Sequence, residues 1–227
     1  MPQLIDKKKL YLYFVFIFFL LIFDNLNLIY SISNFFKIKK IIITNKITQD
    51  IKNEISFTLN KFYNLNIFSL KPDAIKSELN KFNIIDNYEI KKEYPSKIKI
   101  EITETNILAY YFDNNSKVFL GKNGKKIKKN IINGENLPLI IGNFETKNFL
   151  DLKEKLNING FKLNEINKFY FYNSNRWDLE FKSGILVKLP IDEFEKSLSL
   201  LKDILKISKL NDIKIIDLRI KKKIILS

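Results

Sequence analysis

The longest unbroken apolar run of the chain, Leu10–Phe23, lies near the N-terminus, directly after the lysines Lys7–Lys9. Further apolar residues extend the run to Ile32, although polar residues interrupt this second part. A helix needs about 20 mostly apolar residues to span a bilayer, and polar residues near an interface cost little. The pattern therefore predicts a transmembrane helix over residues 10–32, preceded by a short tail over residues 1–9.

Two other interpretations of this run are a cleaved signal peptide and a buried core helix. A signal peptide ends in small residues, whereas the stretch Ile29–Ser33 has no Ala-x-Ala pattern. At the extreme terminus of a chain, a core helix is rarely apolar on every side and rich in aromatic residues. Three lysines flank each end of the run. Those on the N-terminal side lie closer to it, which favours a cytoplasmic N-terminus.

After the run, the hydrophobic periods predict a first module in the order strand, helix, helix, strand, strand. In its clearest strand, isoleucines alternate with charged residues, as expected for a half-buried strand. Thr48 is predicted to cap the first helix, and Pro72 suits the first turn of the second. The predicted elements are strand Ile38–Ile43, a helix with its apolar face from Ile51 to Phe62, a helix from Pro72 to Phe82, and strands Tyr88–Tyr94 and Lys97–Thr103.

A second, β-rich section follows the first module. Its most loop-like stretch is Lys122–Asn136, and Trp177 shares one strand face with Leu179 and Phe181. The predicted elements are strands Ile107–Phe112 and Lys117–Leu120, an extended piece Leu137–Gly142, helix Phe149–Leu156, a meander of Ile166–Tyr172, Arg176–Phe181 and Ile185–Leu189, an amphipathic helix from Phe194 to Leu205, and closing strands Ile213–Ile220 and Lys221–Leu226.

Composition excludes several classes of function. Neither Cys nor His occurs among the 227 residues, which excludes disulfides, the usual zinc sites, Cys nucleophiles and Ser-His-Asp triads. The net charge of +14 suggests nucleic acid or an anionic membrane. However, the chain is crowded with Ile, Lys, Asn, Phe and Tyr, while Ala and Arg each occur twice, a bias that AT-rich codons produce. No basic run is interleaved with a stacking platform of aromatic residues, which disfavours nucleic-acid binding.

The sequence also offers no catalytic constellation. Four carboxylates fall on alternating polar faces of predicted strands, a pattern that favours solvated faces over a catalytic pair; these are Glu101, Glu104, Asp178 and Glu180. The glycines Gly121 and Gly124 have neither Walker nor Rossmann spacing and predict a turn between two strands. We therefore expect no enzyme activity, no cofactor and no metal site.

Seven short motifs lie in a specific order over nearly the whole chain. They are Asn66–Leu70 (Asn-Ile-Phe-Ser-Leu), Tyr94–Ile100 (Tyr-Pro-Ser-Lys-Ile-Lys-Ile), Glu104 with Ala109, Leu137–Gly142 (Leu-Pro-Leu-Ile-Ile-Gly), Arg176–Leu179 (Arg-Trp-Asp-Leu), Gly184-Ile185 with Lys188–Pro190, and Ile216–Arg219 (Ile-Asp-Leu-Arg). Together they resemble the bacterial FtsQ/DivIB cell division family, and in the fifth and sixth motifs its alphaproteobacterial branch. The chain departs from the family pattern at Thr44, Thr105, Ile107 and Gly121.

The resemblance implies an α+β protein with one transmembrane helix, a β-α-α-β-β POTRA module over residues 36–104, and a C-terminal mixed β-sheet domain with flanking helices over residues 105–227. It implies a non-enzymatic bitopic scaffold that links early and late division proteins at the division site. Such a protein is a single-pass type II inner-membrane protein, with its N-terminus in the cytoplasm and its bulk in the periplasm. The implied partners are FtsB and FtsL, and for the POTRA module FtsK or the septal peptidoglycan synthase complex. No small-molecule substrate and no nucleic acid is expected.

The C-terminal tail is the predicted partner-binding region. A strand-like tail suits addition of a partner strand to a sheet edge, which the resemblance implies for FtsB. An ordinary last strand whose lysines discourage aggregation is the alternative. Only two of the 39 basic residues are arginines, and arginine is suited to gripping a carboxylate in two places. The predicted set is Arg176, Arg219, Ile220, Lys221, Lys222, Lys223 and Ile224.

The two arginines carry different hypotheses. We expect Arg176 to lie near the tail edge and to meet an acidic residue of the partner. Arg219 either has a similar task or pairs with Asp217 on the same strand face. Both alternatives for Arg219 are consistent with the spacing.

Three other functions fit parts of the pattern. They are a POTRA-bearing envelope assembly or secretion factor, a membrane-anchored envelope hydrolase and a basic nucleic-acid-binding protein. The missing His and Cys argue against the hydrolase. Salt-dependent DNA binding would distinguish the last of the three.

Overall fold

The computed structural model describes residues 7–23, 26–44, 47–128, 136–206, 213–220 and 223–227. The chain divides into two compact units, Met1–Glu104 and Thr105–Ser227. Each unit has its own sheet, so each is described by itself.

The apolar N-terminal run forms helices α1 (Lys7–Phe23) and α2 (Leu26–Phe35). The side chains of Leu10–Leu21 are exposed, with fractional exposures between 45% and 74%. Two helices thus occupy the span in which one was predicted, and residues 24 and 25 lie outside the described ones. In the described part of the chain, no helix combines the length and the apolar character that crossing a membrane requires.

The first unit continues with a small three-stranded sheet and two helices. The strand that comes third in the chain lies in the middle of the sheet. It runs parallel to the first strand of the chain and antiparallel to the second. This order confirms the predicted sequence of strand, helix, helix, strand and strand. The elements are β1 (Lys40–Thr44), α3 (Gln49–Leu59), α4 (Pro72–Leu79), β2 (Ile85–Glu93) and β3 (Lys97–Glu104).

Alternation along β3 determines which of its side chains are buried. Ile98, Ile100 and Ile102 are fully buried, whereas the residues between them are half-buried or exposed. The apolar faces of α3 and α4 are buried as well, through Ile51, Ile55, Leu59, Ile75 and Leu79. Full burial of one such side chain contributes about 1.5–3 kcal/mol, so these residues dominate the stability of the unit.

Thr48 precedes α3 as predicted, but its side chain does not cap the helix. Its backbone N–H instead donates to Oε1 of Glu104 at 2.8 Å, and its hydroxyl lies 3.4 Å from the same oxygen. The carboxylate at the end of β3 therefore engages the residue that sequence spacing assigned to the cap. The predicted position is confirmed, and the predicted capping bond is wrong.

The second unit is built on a nine-stranded mixed sheet with the strand order β12-β11-β10-β9-β8-β7-β4-β5-β6. Three neighbouring pairs are parallel: β4 with β7, β7 with β8, and β10 with β11. The elements are β4 (Ile107–Asp113), β5 (Ser116–Gly121), β6 (Lys126–Ile127), β7 (Leu139–Ile141), α5 (Thr146–Ile158), β8 (Ile166–Tyr172), β9 (Arg176–Phe181), β10 (Leu186–Lys188), α6 (Phe194–Leu205), β11 (Ile215–Asp217) and β12 (Ile225–Leu226).

An aromatic cluster forms the centre of this unit's core. Phe149 of α5 packs edge-on against Phe169 of β8, with ring centroids 5.2 Å apart, and lies 6.1 Å from Trp177 of β9. Leu198 and Leu201 of α6 belong to the same buried cluster. As predicted, Trp177 shares its buried strand face with Leu179 and Phe181.

The closing strands are shorter than predicted. The backbone leaves β11 after Asp217, because the Asp217 carboxylate accepts a hydrogen bond at 3.0 Å from the backbone N–H of Arg219. Between these two residues, the Leu218 N–H still donates to the Lys188 carbonyl at the end of β10. In the stretch predicted as loop, β6 is an additional strand. Its two residues pair with β5 across the turn that Gly121 and Gly124 predict.

Gly142 and Gly184 form a matched pair for a stability test, because both have positive φ. A Cβ at Gly142 would overlap the carbonyl oxygen of Phe171, whereas a Cβ at Gly184 would meet no atom within 4 Å. We expect Gly142→Ala to lower the free energy of unfolding by about 2–4 kcal/mol and Gly184→Ala by only about 1–2 kcal/mol. Denaturant unfolding followed by Trp177 fluorescence measures both, and equal losses would contradict the packing argument.

Candidate functional site

The C-terminal residues Lys223–Ser227, here called the tail edge, form one end of the nine-stranded sheet. In the described chain, β12 has a strand neighbour only in β11. Ile215 and Ser227 exchange both backbone hydrogen bonds, at 2.8 and 3.1 Å. Facing residues of an antiparallel pair alternate between bonded and non-bonded positions, so the N–H and C=O of Leu226 point away from β11. The tail edge thus presents strand backbone to solvent.

Apolar side chains accompany this open backbone. Ile220, Ile224, Ile225 and Leu226 are each between 40% and 50% exposed. Lys221 and Lys222, two members of the predicted partner-binding set, lie outside the described residues.

A groove of about 360 Å³, here called the terminal groove, lies where β9 begins and β10 and β11 end. Four members of the predicted set line it: Arg176, Arg219, Ile220 and Lys223. The structure thus brings Arg176 into one groove with residues of the tail, while Ile224 lies outside the lining. The role of all these residues in partner binding stays a prediction. The remaining lining residues are Pro190, Ile191, Asp192, Glu193, Lys196, Ser197, Leu200 and Leu218.

Each arginine of the groove grips an aspartate two positions away. Arg176 Nε donates to Asp178 Oδ1 at 3.1 Å, and its guanidinium lies 4.2 Å from the centre of the Tyr172 ring. Arg219 Nε donates to Asp217 Oδ1 at 2.9 Å. Of the two alternatives for Arg219, the structure therefore shows the pairing with Asp217.

The two aspartates belong to one row of charges across the sheet. Asp178 in β9 lies opposite Lys188 in β10, and Lys188 lies opposite Asp217 in β11. Hydrogen bonds from the Arg219 side chain hold the pKa of Asp217 below its usual range, against the opposing effect of burial, and the charge of Lys188 adds to the lowering. The same ion pair raises the pKa of Arg219. Opposite charges thus alternate along three neighbouring strands.

The prediction that Asp178 lies on a solvated face is wrong. Only 1% of Asp178 is exposed, and its carboxylate is paired with Arg176. Glu180 in the same strand is held by Tyr170, whose hydroxyl donates to it at 2.7 Å, and by Lys168. Burial alone would raise the pKa of Glu180, but these hydrogen bonds bring it below its usual range.

The other two carboxylates of the predicted solvated faces lie in the first unit. Glu101 pairs with Lys99, and Glu104 accepts the hydrogen bonds of Thr48. Within the described ranges, no group of His, Cys, Asp or Glu side chains is placed to hold a metal ion.

The terminal groove offers binding chemistry of a mixed kind. The side chain of Arg219 is 41% exposed and that of Arg176 is 21% exposed, so each keeps some access to solvent while it grips its aspartate. Lys196 and Lys223 add positive charge, Asp192 and Glu193 add negative charge, and the exposed side chains of the groove include apolar ones. Such a lining suits a segment that carries both charged and apolar residues.

Sequence reasoning missed the wall of the groove that α6 and the preceding loop provide. Ile191 is 58% exposed and Leu200 is 42% exposed, and both line the groove. One signal was available in the sequence. Leu200 falls outside the helical period of Leu198 and Leu201, and an apolar residue off the buried face of a helix marks a surface with another task.

Two family models match the chain. The model of the FtsQ-type POTRA domain matches residues 36–105, and the model of the C-terminal region of cell division protein FtsQ/DivIB matches residues 109–219. The two matches meet close to the division between the two compact units.

Two relatives from Rickettsia give the same result. Cell division protein FtsQ of Rickettsia prowazekii is 30% identical over 189 residues, which are 80% of this chain and 70% of that protein. FtsQ of Rickettsia felis is 30% identical over 196 residues, which are 83% of this chain and 71% of that protein. A structural match was found to the solved major extracytoplasmic domain of the division protein DivIB from Geobacillus stearothermophilus. It has 18% identity and a TM-score of 0.34, and the matched part is 45% of this chain and 92% of that domain.

The lowered pKa of Asp217 predicts how the stability of the protein depends on pH. A carboxylate whose pKa is depressed by folding stabilises the protein above its unfolded pKa of about 3.9 and loses this effect as the pH falls through the folded value. We expect Asp217→Asn to lower the free energy of unfolding at pH 7 by roughly 1 kcal/mol, and the difference from the parent chain to shrink below about pH 4.

Denaturant unfolding at a series of pH values, followed by Trp177 fluorescence, measures this difference. Asp203→Asn is the matched control, because its side chain is 71% exposed on α6 and pairs with a lysine one turn away. If Asp217→Asn lowers the free energy of unfolding by the same amount at every pH, the lowered pKa of Asp217 is contradicted.

Proposed function

Because the chain belongs to the FtsQ/DivIB family of cell division proteins, we propose that it is a non-enzymatic scaffold of the bacterial division complex. In this role it links early and late division proteins and binds the FtsB–FtsL pair through the tail edge. The observation that carries the proposal is the open strand β12 at the end of the C-terminal sheet, within the unit that the division family model matches. A POTRA-bearing secretion factor is set aside, because both units match one division family.

The proposed binding mode is the addition of a partner strand to β12. The outward N–H and C=O of Leu226 supply backbone hydrogen bonds, which give affinity without side-chain specificity. The exposed apolar residues beside them and the cations of the terminal groove supply specificity. An acidic residue of the FtsB segment meets Arg176 or Arg219 there.

We further propose that the N-terminal run anchors the chain in the inner membrane, with the N-terminus in the cytoplasm and both units in the periplasm at the division site. The exposed apolar side chains of Leu10–Leu21 support this, because a soluble surface rarely carries so large an apolar patch. The apolar part of α1, Leu10–Phe23, is about 21 Å long and thus shorter than the hydrocarbon thickness of about 30 Å, so the proposed anchor also needs the residues up to Ile32. The first unit is then the contact for FtsK or the synthase side of the complex.

Depletion in the source bacterium tests the scaffold role. We expect unseparated filaments and loss of FtsB and FtsL from midcell, because no other part of the complex would hold the pair at the septum. Microscopy of fluorescent FtsB and FtsL measures the recruitment. Normal division after full depletion would falsify the proposal.

A binding experiment with the FtsB segment tests the tail edge itself. We expect Leu226→Pro to weaken binding by about tenfold or more, because proline removes the N–H that faces the partner strand. Leu226→Ala keeps this N–H and is the matched control, with a smaller loss. Arg176→Glu should also weaken binding clearly, and Arg176→Lys, which keeps the charge beside Asp178, should weaken it less.

Titration calorimetry with the full chain gives the affinities, and circular dichroism confirms that each variant is folded. Equal affinities for the proline and alanine variants of Leu226 would contradict strand addition at β12. Unchanged affinity for Arg176→Glu would show that Arg176 does not take part in binding the FtsB segment.

A further inference from the structure

Four aromatic rings form a continuous ladder at one end of the first unit. Phe35 packs edge-on against Phe36 at 5.2 Å, Phe36 against Phe68 at 5.0 Å, and Phe68 stacks on Tyr94 at 4.9 Å between ring centroids. Three of these rings are more than half exposed: Phe35 at 54%, Phe68 at 59% and Tyr94 at 58%. Exposed aromatic rings at adjacent positions are costly in water, so this ladder requires an explanation.

Backbone hydrogen bonds hold the ladder in place. The Ile67 N–H donates to the Phe36 carbonyl at 2.9 Å, and the Phe68 N–H donates to the Asn66 side chain at 2.9 Å. Lys39 N–H donates to the Ser96 carbonyl at 2.8 Å, in the turn that follows Tyr94. The end of α2, the loop around Phe68 and the β2–β3 turn therefore meet at the same end of the unit.

The ladder is not part of the core of the unit. Ile67 and Leu70 on either side of Phe68 are buried, at 0% and 6%, while the Phe68 ring faces outward. The unit thus buries the apolar neighbours of Phe68 without using the ring itself. An outward ring held by a fixed backbone is typical of a contact surface.

Lysines lie beside the α2 end of the ladder. A groove of about 690 Å³ along α2 is lined by Tyr30, Phe35, Phe36 and Lys39, and no carboxylate lines it among the described residues. Lys37 Nζ lies 5.9 Å from the centre of the Tyr30 ring. Aromatic rings with lysines beside them are the combination found where proteins meet the headgroup region of a bilayer.

We propose that this ladder docks on the membrane surface, with its rings at the level of the lipid headgroups and the nearby lysines against anionic lipid phosphates. The proposal rests on the anchoring role proposed above for the N-terminal run. Its position supports it, because α2 ends at Phe35, the first ring of the ladder, so the apolar segment and the ladder are continuous. Docking fixes the end of the first unit that faces the bilayer and leaves its opposite end open to periplasmic partners.

Brominated lipids test this with the full chain in vesicles of phosphatidylcholine and phosphatidylglycerol. Bromine quenches a tryptophan at its own depth, and Trp177→Phe removes the one native tryptophan. In that background, Tyr94→Trp places a reporter on the ladder and Phe68→Trp places a second one. Asp86→Trp is the matched control, since Asp86 is exposed on β2 eight positions before Tyr94, about 26 Å away along the strand. Phe16→Trp reports on the anchor.

We expect headgroup-proximal bromine to remove about half of the emission of the ladder reporters and almost none of that of Asp86→Trp, since interfacial aromatic rings lie at headgroup depth. The Phe16 reporter should be quenched by bromine deep in the acyl chains. Quenching at Phe16 with ladder reporters that behave like Asp86→Trp would overturn the docking and leave the anchor intact. Absence of quenching at Phe16 would overturn the anchor and the docking together.

Discussion

Burial of one face of the nine-stranded sheet is the constraint on which the second unit depends. Successive residues of a strand point to opposite faces, so the alternation that places Trp177 and Leu179 in the core turns Asp178 away from it. Asp178 is nevertheless almost completely buried. A buried carboxylate without a partner is strongly destabilising, and the bond from Arg176 follows from this need.

The need to pair buried carboxylates also applies to the candidate site. Asp178, Lys188 and Asp217 lie in register across three strands, and one arginine pairs with each aspartate. This row of paired charges lies next to the short edge strand, with each aspartate held by an arginine two positions along its own chain segment. In the binding mode proposed above, the partner strand meets a preformed edge, and little of the binding free energy is lost in ordering it.

The two proposed contact surfaces use different physics. The tail edge offers backbone groups in a strand geometry, which only another extended chain can match. The aromatic ladder offers rings and positive charge, which need no partner of defined conformation and suit a bilayer surface. Each surface belongs to one compact unit and adjoins that unit's hydrophobic core.

Much of the fold followed from local pattern, as particular elements show. The alternation in β3 and the helical period of Ile51, Ile55 and Leu59 determined both the elements and their buried faces, because a period of 2 or 3.6 residues identifies an apolar face without knowledge of its neighbour. The ordered motifs determined the family, since they record the arrangement of a whole chain.

Tertiary structure decided what depends on contacts between distant residues: the Glu104 bond to Thr48, the burial of Asp178, the wall that α6 adds to the terminal groove and the position of β12 at the sheet edge. Sequence periodicity carries no information about which distant strand or side chain supplies such a neighbour, because long-range pairing is set by the packing of the whole unit.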